Sequence, residues 1–203
     1  GSSVELTILG TGLEGDADFG PGIEVETLRS APGEIVVRVT VADDAAIGRR
    51  DVRVGEALLA DAVAVYDRID RVVVTPDYAV ARVGGGNTAP VAAQFEAVAF
   101  HNGADGKADT DDDFRIGVVP AEWQTGPFDE TAAEMKDAEF AGEITPTGLF
   151  NPAPAGPNPK RRYNAGNFGD LTITATVDDA GRKVSGVARL IVSAQRWNNP
   201  PIY

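Results

Sequence analysis

Apolar and polar residues alternate along most of this chain, and that period of two is the signature of half-buried strands. Residues 4–9 place Val4, Leu6 and Ile8 on one side. Residues 23–28 repeat the pattern with Ile23 and Val25, and residues 34–41 carry it through Ile35, Val37, Val39 and Val41. Residues 50–54 and 62–66 predict two more strands, and residues 71–76 another that ends at Pro76. Beyond these, strands are expected at 90–100, 114–119 and 121–125. The longest alternations come last, at 170–177 and 183–192, joined by a hairpin turn over 178–182. One stretch, 129–140, is rich in Glu, Ala, Met and Lys and predicts a helix of a turn or two.

Strands that recur every ~8–12 residues between turn signals predict β-sandwiches. The expected fold is all-β, with two immunoglobulin-like β-sandwich domains in tandem, over residues 4–80 and 81–203. Gly84-Gly85-Gly86 reads as a flexible linker near that boundary. It lacks the Lys-Ser/Thr and the following helix that a phosphate loop requires. Residues 151–158, with three prolines, predict a packed loop or an extended arm. No internal repeat links the halves.

Composition narrows the functional classes. The 203 residues carry 31 acidic and 18 basic side chains, for a net charge of −13 and a pI near 4.4. A surface of that sign does not neutralise phosphates, so no nucleic-acid partner is expected. No apolar run approaches the ~20 residues of a membrane span, and membrane insertion is not expected either. No signal peptide is visible, and Gly1-Ser2-Ser3 has the look of a tag remnant, which predicts a natural N-terminus elsewhere. The chain has no cysteine and one histidine. Disulfides, thiol nucleophiles, zinc–thiolate sites and haem attachment through C-x-x-C-H are therefore ruled out within it.

The richest local signal is the loop from His101 to Asp113, which holds five aspartates. Calcium takes six to eight oxygen ligands, and Asp105, Asp109, Asp111 and Asp113 on a loop bent at Gly106 are the candidate donors. The closing Glu of an EF-hand is missing, and a solvated acidic hairpin tip competes with the calcium reading. His101 could serve as a base or a lone ligand, but no nucleophile motif accompanies it, which favours a hydrogen-bonding histidine. There is no G-x-S-x-G, H-E-x-x-H or P-loop, so this chain alone is not expected to be an enzyme. Lys160, Arg161 and Arg162 form the one basic cluster and are candidates for docking an acidic partner. The tail contributes Arg196, Trp197 and Tyr203, residue types enriched at interfaces. Trp197 as a cap on the sandwich core is the competing reading.

Three segments of the second half resemble a known family. They are Glu143-Ile144-Thr145-Pro146-Thr147-Gly148-Leu149-Phe150-Asn151-Pro152-Ala153, Ala155-Gly156-Pro157-Asn158-Pro159-Lys160-Arg161, and the stretch from Leu190 through Gln195-Arg196-Trp197-Asn198-Asn199-Pro200-Pro201-Ile202. They are similar to the C-terminal end of the α subunit of quinohemoprotein amine dehydrogenase, and the first half is similar to the domain before it. The resemblance implies the third and fourth domains of a four-domain subunit in a periplasmic, amine-oxidising complex. It further implies a dihaem domain at the start of that subunit, a small subunit bearing the quinone, and a propeller subunit. This cysteine-free chain can hold neither haem nor quinone of that kind, so none of the family's catalytic residues carries over. The expectation is a non-catalytic scaffold that contacts other subunits, with no cofactor of its own beyond possible calcium. The alternative is a calcium-stabilised extracellular adhesion module or a carbohydrate-binding β-sandwich.

Overall fold

The computed structural model describes residues 2–194. They form two compact units: residues 2–69 with 101–117, and residues 70–100 with 118–194. Nearly all regular structure is β.

In the first unit, β1 (Ser2–Leu9), β3 (Ile23–Ala31) and β4 (Glu34–Val41) make one sheet in the order β1-β4-β3. β2 (Ala17–Asp18), β5 (Gly48–Val54) and β6 (Ala57–Val65) make another, ordered β2-β5-β6. β4 is central, and its alternation does what the pattern predicts: Ile35, Val37 and Val39 are buried. They form a core with Phe19, Val52 and Val54 from the facing side. On the outer face Arg38 lies opposite both Glu5 and Glu26 and bridges them at 3.0 and 2.8 Å. All three are exposed, so the triad adds little stability. β5 and β6 join through the turn at Gly55, whose φ of +57° and close approach to the Glu14 carbonyl both require glycine.

The second unit is built on β12 (Glu122–Pro127), β15 (Gly169–Asp179), β16 (Arg182–Ser193) and β8 (Tyr78–Arg82), in the order β12-β15-β16-β8. β16 and β8 are parallel; the other pairs are antiparallel. β7 (Arg71–Thr75) pairs with β10 (Glu96–His101). A small third sheet runs β13 (Gly142–Ile144), β14 (Leu149–Pro152) and β9 (Ala93–Gln94). β11 (Phe114–Val118), which follows the acidic loop, belongs to the first unit up to residue 117. Leu171, Ile173 and Leu190 are fully buried, as are Phe95 and Phe150.

Two local expectations change. The helix over 129–140 is split into α1 (Glu130–Glu134), capped by the Asp129 carboxylate on Ala132 N–H, and α2 (Asp137–Phe140). Lys136 separates them in a left-handed conformation, φ +57°. The three glycines read as a linker instead close a hairpin within the second unit. Gly85 and Thr88 exchange both backbone hydrogen bonds at 3.0 Å, and Arg82 and Val91 do so at 2.9 Å.

Candidate assembly surfaces and the acidic loop

The acidic loop is closed at its base by His101 and Phe114, whose rings stack 4.9 Å apart at 15°. His101 is only 2% exposed, and its Nε2 lies 3.0 Å from Asp67 Oδ1. The histidine thus serves as a buried hydrogen-bonding group. Within the loop the carboxylates cap backbone. Asp112 Oδ2 accepts from Ala104 N–H at 2.6 Å and from Asp105 N–H at 3.2 Å. Asp105 Oδ1 accepts from Lys107 N–H, and Asp113 Oδ2 from Asp109 N–H, each at 2.8 Å. The Thr110 hydroxyl lies 2.8 Å from Asp112 Oδ1, 3.1 Å from Asp113 Oδ1 and 3.4 Å from Asp105 Oδ1. It has one proton to share among them.

Of the four proposed calcium donors, Asp105 and Asp113 are therefore brought together around Thr110. Asp109 takes part through its backbone N–H, and Asp111 is exposed. Among the described residues no group of three or more His, Asp or Glu side chains is disposed to hold a metal ion. Asp112, which sequence reasoning passed over, organises the loop. The Thr110 hydroxyl, and then the backbone N–H groups of Asp105 and Ala104, hold its carboxyl below the usual value of 3.8. A carboxyl whose folded value is depressed stabilises the fold above its unfolded value, and that contribution disappears as the pH falls through the lower, folded value. The Ala104 and Asp105 amides should therefore stay protected as the pH drops through about 4 and lose protection only below it. In Asp112→Ala they should be unprotected already at neutral pH. Amide exchange measured against pH checks both.

Beside the loop lies an open cavity of about 550 Å³, lined by Ile47, Arg49, Arg68, His101, Asp111 and Phe114 among others. Its lining offers no serine, threonine or lysine. Arg49 is occupied there with the Arg115 carbonyl at 3.0 Å.

The basic cluster does not form one surface. Lys160 and Arg162 are exposed, and Arg162 lies 3.6 Å from Glu134 and stacks on Tyr163. Arg161, expected beside them as a docking residue, is turned inward and is 5% exposed. Its guanidinium donates to the Met135 carbonyl at 2.9 and 3.2 Å, to Gly166 O at 2.7 Å, to Phe168 O at 2.5 Å, and to Asp137 Oδ1. Asp137 Oδ2 in turn accepts from Asp170 N–H at 2.9 Å. The correction has a simple cause: five donors in a fixed fork suit a loop whose carbonyls converge. Arg196, Trp197 and Tyr203 lie outside the described residues.

Residues 1–67 match the family model for quinohemoprotein amine dehydrogenase, alpha subunit domain III, and residues 72–202 match that for alpha subunit domain IV. The chain belongs to the quinohemoprotein amine dehydrogenase α-subunit family. A search of curated proteins gave no match. Solved structures similar to these amine dehydrogenase domains include the EC1-3 fragment of mouse clustered PcdhgC3, at 11% identity and a TM-score of 0.37, covering 89% of this chain and 55% of that one. Another is EC1-3 of protocadherin gamma C5, at 16% identity and a TM-score of 0.33, covering 94% and 61%. The chain thus spans under two thirds of each, and scores this low carry no functional weight.

The amine dehydrogenase domains expose apolar side chains in defined places. In the second unit Tyr78, Phe128 and Val187 are exposed beside Arg189, which stacks 3.9 Å over Phe128 and pairs with Asp170 through two hydrogen bonds. In the first unit Leu9, Leu58 and Leu59 are 73%, 51% and 65% exposed around a groove of about 240 Å³. Among the described residues, no helix is long and apolar enough to cross a membrane.

Proposed function

We propose that this chain is the assembly half of an amine dehydrogenase α subunit. Its β units dock partner subunits and hold them in place, while the haem and quinone groups that oxidise the amine sit elsewhere in the complex. The observation that carries the reading is the match of residues 1–67 and 72–202 to α-subunit domains III and IV, in a sequence without cysteine. A chain without cysteine cannot attach haem through C-x-x-C-H or anchor a quinone by a thioether. Large, irregularly exposed apolar residues on both units fit a surface made to be covered. The partners are the quinone-bearing small subunit and the propeller subunit, and the compartment is the periplasm.

Size-exclusion chromatography with light scattering tests the reading. Mixed with the two partner subunits, the chain should co-elute as a complex of defined mass. Separate elution of all three at tens of micromolar would sink it.

A further inference from the structure

The first unit's sandwich is open along one side. β1 and β6 each stand at the end of their sheet. Register places Ala57, Leu59 and Val4 on the core side. Leu59 lies opposite buried Val52, and Ala57 opposite buried Val54. Val4, opposite buried Val39, is 51% exposed. Core-facing apolar residues are normally covered by the facing sheet, yet Leu59 is 65% exposed. Ile8, Leu9 and Leu13 line the other lip of the groove.

Over its first four residues the free edge of β6 lacks the usual protection; a register shift in the β5–β6 pair follows between Leu59 and Val63. Edge strands are blunted by charges, prolines or bulges. Ala57-Leu58-Leu59-Ala60 has none of these before Asp61, where φ is +50°. The rim of the groove, by contrast, is acidic, and Arg53, opposite Leu58, stands on the outer face away from the groove lining. The backbone of Glu14 packs against the turn at Gly55, next to Glu56. Neither Glu14, Glu56 nor the Asp61 carboxylate enters an ion pair among the described residues. The unit as a whole carries 18 acidic side chains against eight basic ones, while the rest of the chain carries 13 against ten.

We propose that this open side receives an extended apolar segment of a partner subunit, flanked by lysine or arginine, which pairs with β6 and seats its apolar side chains between Leu9 and Leu59. Strand addition of this kind takes affinity from main-chain hydrogen bonds and selectivity from alternate side chains. The charge decides the occupant. A second copy of this chain would bring Glu14, Glu56 and Asp61 against their own equivalents, whereas a basic-flanked strand is attracted.

The inference rests on the assembly reading above and names the partner's chemistry at one surface. The test uses the full chain with the quinone-bearing and propeller subunits, comparing wild type, Leu59→Lys, and Ser185→Lys, at an exposed polar position of the second unit, as a control. Leu59→Lys should bind at least about tenfold more weakly with an unchanged melting temperature, since the side chain is already exposed. Ser185→Lys should bind as wild type does. Amide exchange at residues 57–60 should slow in the complex. If the complex forms but exchange at 57–60 is unchanged, this proposal fails and the assembly reading stands. If the chain alone dimerises with 57–60 protected, the occupant is a second copy and the proposal is overturned. If wild type does not associate at all, both readings fall.

Discussion

Replacing Arg161 by alanine is expected to cost the second unit about 3–5 kcal/mol, the usual cost of removing one partner of a buried ion pair. The side chains of Arg161 and Asp137 are 2% and 10% exposed. Without the guanidinium, Asp137 keeps a buried charge, and the carbonyls of Met135, Gly166 and Phe168 lose a donor. The fork ties α2 to the loop around the 3₁₀ turn Arg162–Asn164 and to the start of β15. A loss of that size is a large share of a domain's stability of about 5–15 kcal/mol. Calorimetry should show the second unit's transition falling by about 10 °C or more. Arg161→Lys should not rescue it, because an ammonium cannot reach the converging carbonyls as a planar fork does. Arg161→Met with Asp137→Asn should recover part of the loss. It removes the stranded charge and leaves an amide oxygen for Asp170 N–H. Equal melting of Arg161→Ala and wild type would show that the clamp contributes nothing.

The second large effect is expected from Gly186→Ala. Gly186 sits inside β16, opposite Ala175, and its φ is not positive. Alanine in a strand interior is normally favoured over glycine by roughly 0.5–1 kcal/mol. Here a Cβ would stand 2.3 Å from the Val72 carbonyl oxygen and 2.9 Å from its carbon. Both are backbone atoms, so β7 and β16 must separate. Overpacking of that kind costs about 1–3 kcal/mol. Gly126→Ala is the matched control: it lies in β12 with nothing within 4 Å of its would-be Cβ. Urea unfolding should show Gly186→Ala destabilised and Gly126→Ala unchanged or slightly stabilised. The same response at both positions would rule out the close approach as the cause.

These two positions mark where the sequence is readable and where it is not. Strands whose two faces differ declare themselves, and β4, β15 and β16 stand where alternation places them. β6 begins at Ala57, ahead of the expected residue 62, because Ala57-Leu58-Leu59-Ala60 does not alternate. The short strands β8, β13 and β14 have no counterpart among the expected strands, and the one expected over 90–100 is broken into β9 and β10. They are fixed by distant partners such as β16 on β8, and their local pattern is weak. Site residues follow the same rule. Arg161 was visible as a charge, but its burial depends on carbonyls from residues 135, 166 and 168. Asp112 sits among five aspartates, and nothing local says which of them caps Ala104 and Asp105. The family, in contrast, was legible from a few dense segments such as Gly156-Pro157-Asn158-Pro159, because loops with several prolines are poorly interchangeable.

Whether this chain assembles the enzyme without performing its chemistry is tested most directly by reconstitution. Amine-dependent haem reduction would be followed in the haem- and quinone-bearing remainder of the complex, with the chain titrated in. The expected result is no amine oxidation by the chain alone, and activity that rises with added chain and saturates at a fixed stoichiometry. Amine turnover by the isolated chain, or full activity and a complete complex in its absence, would contradict the assembly role.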